Sequence, residues 1–323
     1  MGEFELIHHY FQRPGANPPG VVLGVGDDCA LLQPEPGQRL AVSTDMLVEG
    51  RHFFADVDPV ALGHKALAVN LSDLAAMGAR PLGCTLALAL PRADEAWLAG
   101  FSRGLFALAD AAACPLVGGD TTKGPLNLCI TVFGQVPPGQ ELRRSGARAS
   151  DEVWVSGQLG DARLALDALL GDIELAPEVL VRARQRLERP TPRLALGLAL
   201  RGIASAAADV SDGLCGDLGH ILTASGVGAE LEIDALLASS AISADLRTLP
   251  RDHALRCALA GGDDYELIFT APAGAHDAVL QAARSAATPV SCLGRITAEP
   301  GLRWRDACGQ PLELAWASFD HFA

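Results

Sequence analysis

The 323-residue sequence has no run of about 18 uninterrupted apolar residues, although 49% of it is hydrophobic and its mean hydropathy is +0.22. That argues against a transmembrane helix. Its opening, Met1-Gly-Glu-Phe-Glu-Leu6, lacks the basic stretch of a secretory signal. Position 6 is Leu rather than Ser or Thr, which removes Gly2 as a myristoylation site. Basic residues are few: 25 Lys and Arg against 39 Asp and Glu leave a net charge of −14. Such a chain is poorly suited to nucleic-acid phosphates and needs cations to hold ATP. The eight cysteines are dispersed without a C-x-x-C pair. They are expected to be reduced and mostly in the core, with no zinc site.

Several nucleotide signatures are also missing. Gly119-Asp-Thr-Thr-Lys-Gly124 has the wrong order for a phosphate-binding P-loop. Gly24-Val-Gly-Asp-Asp-Cys29 fails the dinucleotide fingerprint at its last position. Neither His-Arg-Asp nor Asp-Phe-Gly occurs, which excludes a protein kinase.

What the chain has instead is a repeated device, an acidic turn beside glycine or a hydroxyl residue. The first is Leu23-Gly-Val-Gly-Asp-Asp-Cys-Ala30, at the end of a predicted strand over 21–25. Adjacent carboxylates repel, so alone this turn reads equally well as a solvated loop. Ser43-Thr-Asp45, Asn70-Leu-Ser-Asp73, Gly118-Gly-Asp-Thr-Thr122, Asp209-Val-Ser-Asp-Gly213 and Gly261-Gly-Asp-Asp-Tyr-Glu266 repeat the theme. Each offers hard oxygen ligands, and together they point to a polyvalent magnesium site that holds phosphates.

Periodicity places these segments on an α/β framework. A short amphipathic helix is predicted over 4–11, then a Pro- and Gly-rich loop over 13–20. Leu40-Ala-Val-Ser43 reads as a strand ending in Thr44 and Asp45. Asp58-Pro59 opens a nearly all-apolar, hence buried, helix that stops at Gly78. Asn70 and Asp73 share one of its faces. Asp73 needs a partner: Lys65, Asn70 or a metal ion. Strands follow at 82–90, 115–117 and 127–136, with a helix over 94–113 between the first two. Pro137-Pro-Gly-Gln140 ends the first half, dividing the chain into domains 1–137 and 138–323. In the second half, 153–157 reads as a strand and turn. Helices are predicted at 161–170, 176–188, 194–201, 214–224 and 275–286. Strands are predicted at 206–210, 231–233 and 289–295, and one is entered through Gly261-Gly262. Asp209, Ser211 and Asp212 at a helix N-terminus are more oxygen-bearing groups than a cap requires. Arg143, Arg144 and Arg148 form a basic cluster suited to phosphate oxygens. The tail aromatics Trp304, Trp316, Phe319 and Phe322 serve either the core or a flat ring to be stacked on.

In combination, the motifs at 24–30, 43–45, 52–53, 65–79, 118–122, 209–214 and 261–267 resemble the thiamine-monophosphate kinase family, almost to the closing Asp320-His-Phe322. The resemblance implies the two-domain α/β (α+β) fold of aminoimidazole ribonucleotide synthetase. It implies an N-terminal mixed sheet forming a homodimer and a C-terminal α/β domain completing the nucleotide and substrate site. The implied reaction is magnesium- and ATP-dependent phosphorylation of thiamine monophosphate to thiamine diphosphate, in the cytoplasm. Implied magnesium ligands are Asp28, Ser43, Thr44, Asp45, Asp73, Asp120, Asp209 and Asp212. Implied ATP contacts are Gly119, Asp120, Arg144 and Ser211. Implied substrate contacts are His52, Asp263 and Phe319. The family commonly carries Glu where this chain has Asp263. Two sister activities fit less well. A selenophosphate synthetase needs a reactive cysteine and lysine in its N-terminal loop, and a carbamoyl-accepting relative ends in cysteine. Aminoimidazole ribonucleotide synthesis and a non-catalytic nucleotide-binding protein remain as alternatives.

Overall fold

The computed structural model describes residues 2–13, 15 and 17–312. It falls into two compact units, Met1–Leu74 with Ala79–Gly139, and Ala75–Gly78 with Gln140–Ala323.

The first unit contains α1 (Glu3–Tyr10), β1 (Val21–Leu23), β2 (Leu31–Leu32), β3 (Arg39–Val48), the start of α2 (Pro59–Ala76), β4 (Arg80–Leu90), α3 (Glu95–Ala111), β5 (Leu116–Lys123) and β6 (Asn127–Val136). Its four-stranded sheet has the order β3-β6-β4-β5. The β3–β6 and β6–β4 pairs are antiparallel; β4 and β5 are parallel, joined by a crossover through α3. Strand β6 alternates, with Leu128, Ile130 and Val132 buried. Leu74 of α2 lies 2.9 Å from where a side chain on Gly134 of β6 would begin, so α2 covers one sheet face. Helices α2 and α3 cross closely. A Cβ at Gly104 would sit 1.9 Å from the Val60 carbonyl oxygen, and one at Gly63 would sit 2.1 Å from that of Phe101. Gly100-Phe-Ser-Arg-Gly104 spells the spacing of a hydrolase nucleophile elbow, yet it lies wholly inside α3 and serves this contact.

Two strands are longer than the sequence predicts. Strand β3 runs ten residues, so Ser43, Thr44 and Asp45 lie within it, not at its end. Strand β5 includes Gly118-Gly-Asp-Thr-Thr122, predicted to follow it as a turn. Ladder pairing with β6 and β4 overrides the low strand propensity of Gly and Asp.

The second unit adds β7 (Glu152–Ser156), α4 (Asp161–Leu170), α5 (Pro177–Glu188), α6 (Leu194–Ala199), β8 (Ala206–Val210), α7 (Leu214–Ser225), β9 (Gly228–Glu232), α8 (Ile233–Ala238), α9 (Arg251–Ala260), β10 (Glu266–Ala271), α10 (His276–Ser285), β11 (Val290–Thr297), β12 (Gly301–Arg305) and β13 (Pro311–Leu312). Its seven-stranded sheet has the order β13-β12-β9-β11-β7-β10-β8. The pairs are antiparallel except β9–β12. Strands β7, β8 and β10 are buried along their whole length, which requires two apolar faces. Val153, Val155, Ala208 and Ile268 pack into one core with Leu164, Leu214 and Leu218. Trp154, Ala207, Leu267 and Phe269 pack into another with Leu196, Leu200 and Val279.

Helix α9 directly precedes the glycine pair and is not marked in the sequence by a sustained apolar stripe. It begins Arg251-Asp-His253, and only its later residues, from Ala254 to Leu259, are mostly buried. Strand β9 is followed at once by α8, which takes Ile233 from the predicted strand. Trp304 of β12 is buried in the first of these two cores. Trp316, Phe319 and Phe322 lie outside the described residues. Of the cysteines, Cys84, Cys114 and Cys257 are buried, whereas Cys29 and Cys308 are exposed; all are free thiols.

Candidate functional site

In the first unit, strand β3 presents successive side chains to opposite faces. Ser43 donates to the Asp73 carboxylate of α2. Asp45 donates its backbone N–H to Asn70 Oδ1 at 2.9 Å, and Asn70 Nδ2 donates to the Ala66 carbonyl at 3.0 Å. Ser43, Asp45, Asn70 and Asp73 therefore gather between β3 and α2. Thr44 turns the other way and sits 2.8 Å from the Thr131 hydroxyl of β6. The Lys65 ammonium donates to the His52 carbonyl at 3.3 Å. His52 Nδ1 accepts from the Val48 N–H at 3.0 Å, which leaves the neutral ring's proton on Nε2.

Asp28 lies in the turn after β1, its backbone N–H donating to Asp27 Oδ1 at 2.8 Å. Gly26 permits that turn with a φ of 125°. Asp28 and Asp120 are both exposed and line one cavity of about 800 Å³, together with Gly118, Gly119, His8 of α1 and Gln12 just beyond it. Gly119 has a φ of 152°, and a Cβ there would lie 1.9 Å from the Leu86 carbonyl oxygen, so no larger residue fits this part of β5.

In the second unit, β8 delivers the buried Asp209 and then Ser211 and Asp212, both half-buried. The segment at 261–265 folds over this loop. Asp263 N–H donates to the Ser211 carbonyl at 2.9 Å, and Tyr265 N–H to the Val210 carbonyl at 2.8 Å. Asp263 and Tyr265 are held at φ values of 66° and 51°, and the Tyr265 hydroxyl donates to Asp263 Oδ1 at 3.2 Å. Non-glycine residues in this region cost energy and collect at functional sites. The Arg144 carbonyl accepts from the Ser225 hydroxyl at 3.1 Å, which ties the basic cluster to the last turn of α7.

Sequence reasoning passes over Asp217, one turn into α7. Its Oδ2 accepts the N–H groups of Ser211 at 3.0 Å and Asp212 at 3.1 Å. Burial pushes its carboxyl up to about 7; the Asp212 charge adds to that rise, while the two amides and Arg144 oppose it. The one available signal is a carboxylate in the first turn of a helix that follows a polar loop. Also unanticipated is Glu266, fully buried, which accepts from Arg193 Nε at 2.6 Å, Arg186 Nη2 at 2.8 Å and the Ser156 hydroxyl at 2.7 Å. Asp264 is buried and sits 2.9 Å from the Gly160 N–H; burial holds its carboxyl well above the usual range.

Among the described residues, Asp167, His253 and Cys257 come close enough to hold a cation, their ligand atoms within 4.8 Å of one another. Arg163 and Arg256 already lie 2.7 Å from the two Asp167 oxygens. Burial pushes the Cys257 thiol up to about 12. Two guanidinium groups and a thiol that keeps its proton make this an ion-pair network rather than a cation site.

Residues 26–136 match the N-terminal domain model of AIR synthase related proteins, and 151–306 match the corresponding C-terminal domain model. A thiamine-monophosphate kinase of Salmonella typhimurium is 48% identical over 100% of this chain and 98% of its own length. The chain belongs to the thiamine-monophosphate kinase family. A crystal structure of the Stenotrophomonas maltophilia member shares 50% identity, with a TM-score of 0.83 over 88% of this chain and 91% of that one. A second solved member, described as AaThiL complexed with AMPPCP and TMP, shares 30% identity and a TM-score of 0.75 over 92% of each chain.

Proposed function

We propose that this chain transfers the γ-phosphoryl group of ATP to thiamine monophosphate, giving thiamine diphosphate and ADP, the last step of thiamine diphosphate biosynthesis. The observation that carries this reading is that the Asp27-Asp28 turn and the Gly118–Thr121 segment share one cavity, in a chain 48% identical along its length to a thiamine-monophosphate kinase. That AaThiL is described with both AMPPCP and TMP supports ATP and thiamine monophosphate as the two reactants.

The donor set fits magnesium, since carboxylates and hydroxyls are hard oxygen ligands and Asp28 and Asp120 stand exposed on one cavity wall. The residues proposed to hold the ions are Asp28, Ser43, Thr44, Asp45, Asp73 and Asp120 in the first unit, and Asp209 and Asp212 in the second. Thr44 faces away from Ser43 and Asp45, so it would share an ion with them only through its backbone. Gly119, Asp120, Arg144 and Ser211 are proposed to meet ATP, and His52, Asp263 and Phe319 the substrate. Several magnesium ions, when bound, neutralise the charge on two anionic reactants that would otherwise repel. The acceptor is a phosphate monoester oxygen, already ionised at neutral pH, so no side chain is assigned as a general base. Its oxygen forms the new bond to phosphorus as the bond to the ADP oxygen breaks. The chain's own part is to place these groups in line and supply fixed charge.

We also propose a homodimer formed through the first unit, and the cytoplasm as the place of work. No helix among the described residues is long and apolar enough to cross a membrane. The deciding assay mixes the protein with ATP, magnesium and thiamine monophosphate and follows thiamine diphosphate by chromatography, with EDTA and free thiamine as controls. Magnesium-dependent product from the monophosphate alone is expected. No product from folded protein overturns the reading and turns attention to aminoimidazole ribonucleotide synthesis.

A further inference from the structure

Backbone amides around a helix N-terminus ordinarily face outward and attract phosphate. Just upstream of α7, the Ser211 and Asp212 amides do not. The N-cap position is Gly213, which has no side chain to cap with. Asp217, only 2% exposed, instead reaches back over the turn and takes the Ser211 and Asp212 N–H groups on a single oxygen, at 3.0 and 3.1 Å. One oxygen with two consecutive amide donors fixes both peptide planes. From the other side, the Ser211 carbonyl accepts from Asp263 N–H at 2.9 Å, so the peptide groups on both sides of Ser211 are held. Ser211 and Asp212 themselves remain half-buried.

We infer that Asp217 is a positioning residue that withdraws these amides from phosphate and leaves the Ser211 and Asp212 side-chain oxygens to meet the nucleotide through cations. The inference rests on the proposed roles of Ser211 and Asp212. It gives distinct parts to two carboxylates around this turn: the half-buried Asp212 is left to act as a ligand, and the buried Asp217 occupies the Ser211 and Asp212 amides that would otherwise compete for the same phosphate. The role is that of a hydrogen-bond acceptor rather than of a charge. An asparagine, whose amide oxygen accepts both bonds, should replace it; an alanine should not.

The test uses the full chain and its D217N and D217A variants. Magnesium is titrated calorimetrically against AMPPCP binding without turnover, and thiamine diphosphate formation is measured in parallel. D217N should stay within about threefold of the parent in both. D217A should need about tenfold more magnesium for half-maximal AMPPCP binding, the size expected when a group that orients a metal ligand is removed. It should keep its KM for thiamine monophosphate within about twofold, and it should bind AMPPCP better than the parent does in EDTA, through the freed amides. An unchanged magnesium requirement in D217A, with any loss of rate matched by a smaller folded fraction, overturns the inference. So does D217N behaving as badly as D217A, which remains decisive if D217A fails to fold. A parent chain that binds AMPPCP with magnesium but makes no thiamine diphosphate removes the proposed reaction alone, and the calorimetric comparison still decides the role of Asp217.

Discussion

The Ser43 hydroxyl of β3 donates to the Asp73 carboxylate of α2. A neutral hydroxyl donor helps to fix the orientation of that carboxylate on the β3 side of α2. The neighbouring Asn70–Asp45 bond keeps the two elements in register at the same place. If Asp73 holds magnesium as proposed, replacing it with Asn is expected to lower thiamine diphosphate formation by at least about 100-fold, because the cations that offset phosphate charge lose a charged ligand. The fold should survive, since the amide still accepts from Ser43. Steady-state kinetics beside a circular-dichroism melt checks this. Asp28→Asn and Asp120→Asn should behave alike, and an unchanged rate in any of the three removes that residue from the site.

Much of this arrangement could be read from residue order. The helix starting at Pro59, the strand at 127–136 and the helix following Gly213 stand close to where periodicity and capping residues put them. What could not be read was whatever depends on pairing at a distance. Gly118–Thr122 looks like a turn until β4 supplies a parallel partner. The Asp217 bonds span five and six residues across a bend that no periodicity marks. Glu266 belongs to a motif visible in the sequence, but its partners Arg186 and Arg193 are brought to it by helices α5 and α6 from 80 and 73 residues away.

That buried Glu266 cluster gives a stability prediction. The carboxylate is fully buried and its two arginines are largely so, with side-chain exposures of 22% and 15%. Removing one partner of such a pair strands a charge in the interior. Arg193→Ala and Glu266→Ala should each cost about 3–5 kcal/mol, and Glu266→Gln less, because it still bonds Ser156. Urea unfolding midpoints measure this. A cost below about 1 kcal/mol, the scale of an exposed pair, means that solvent already screens the cluster.

Asp264 gives a pH prediction. Its carboxyl is raised by burial, with the Asp161 and Glu266 charges adding to the rise and the Gly160 amide and Arg186 opposing it. A raised carboxyl contributes stability that is fully present below the ordinary value of about 4 and is lost as pH rises through the folded-state value. Asn cannot ionise and escapes that loss. The melting temperature of D264N relative to the parent should therefore climb from pH 5 to pH 8. A flat or falling difference would mean that the carboxylate ionises at its ordinary pH, with Arg186 offsetting the burial.

Strand β3 gives a prediction about assembly. On the face turned away from α2, Leu40, Val42 and Met46 are 52%, 56% and 53% exposed, with the exposed Thr44 in the same row. Scattered exposed apolar residues are ordinary, but a row of them along an edge strand invites a partner. A second copy of the same face is the partner the proposed homodimer supplies, and a two-fold axis would bring each row near its own copy. Val42→Glu then places like charges close together in an apolar contact, while in a single chain the new carboxylate simply points into water. Sedimentation should show the mass fall from that of two chains to that of one at micromolar concentration, with the melting temperature lowered by the lost association. Thr122→Glu, at the exposed far edge of the same sheet, serves as the control and should stay dimeric. If V42E keeps the parent's mass, the apolar row is not the interface, and the dimer, if it forms, uses another face.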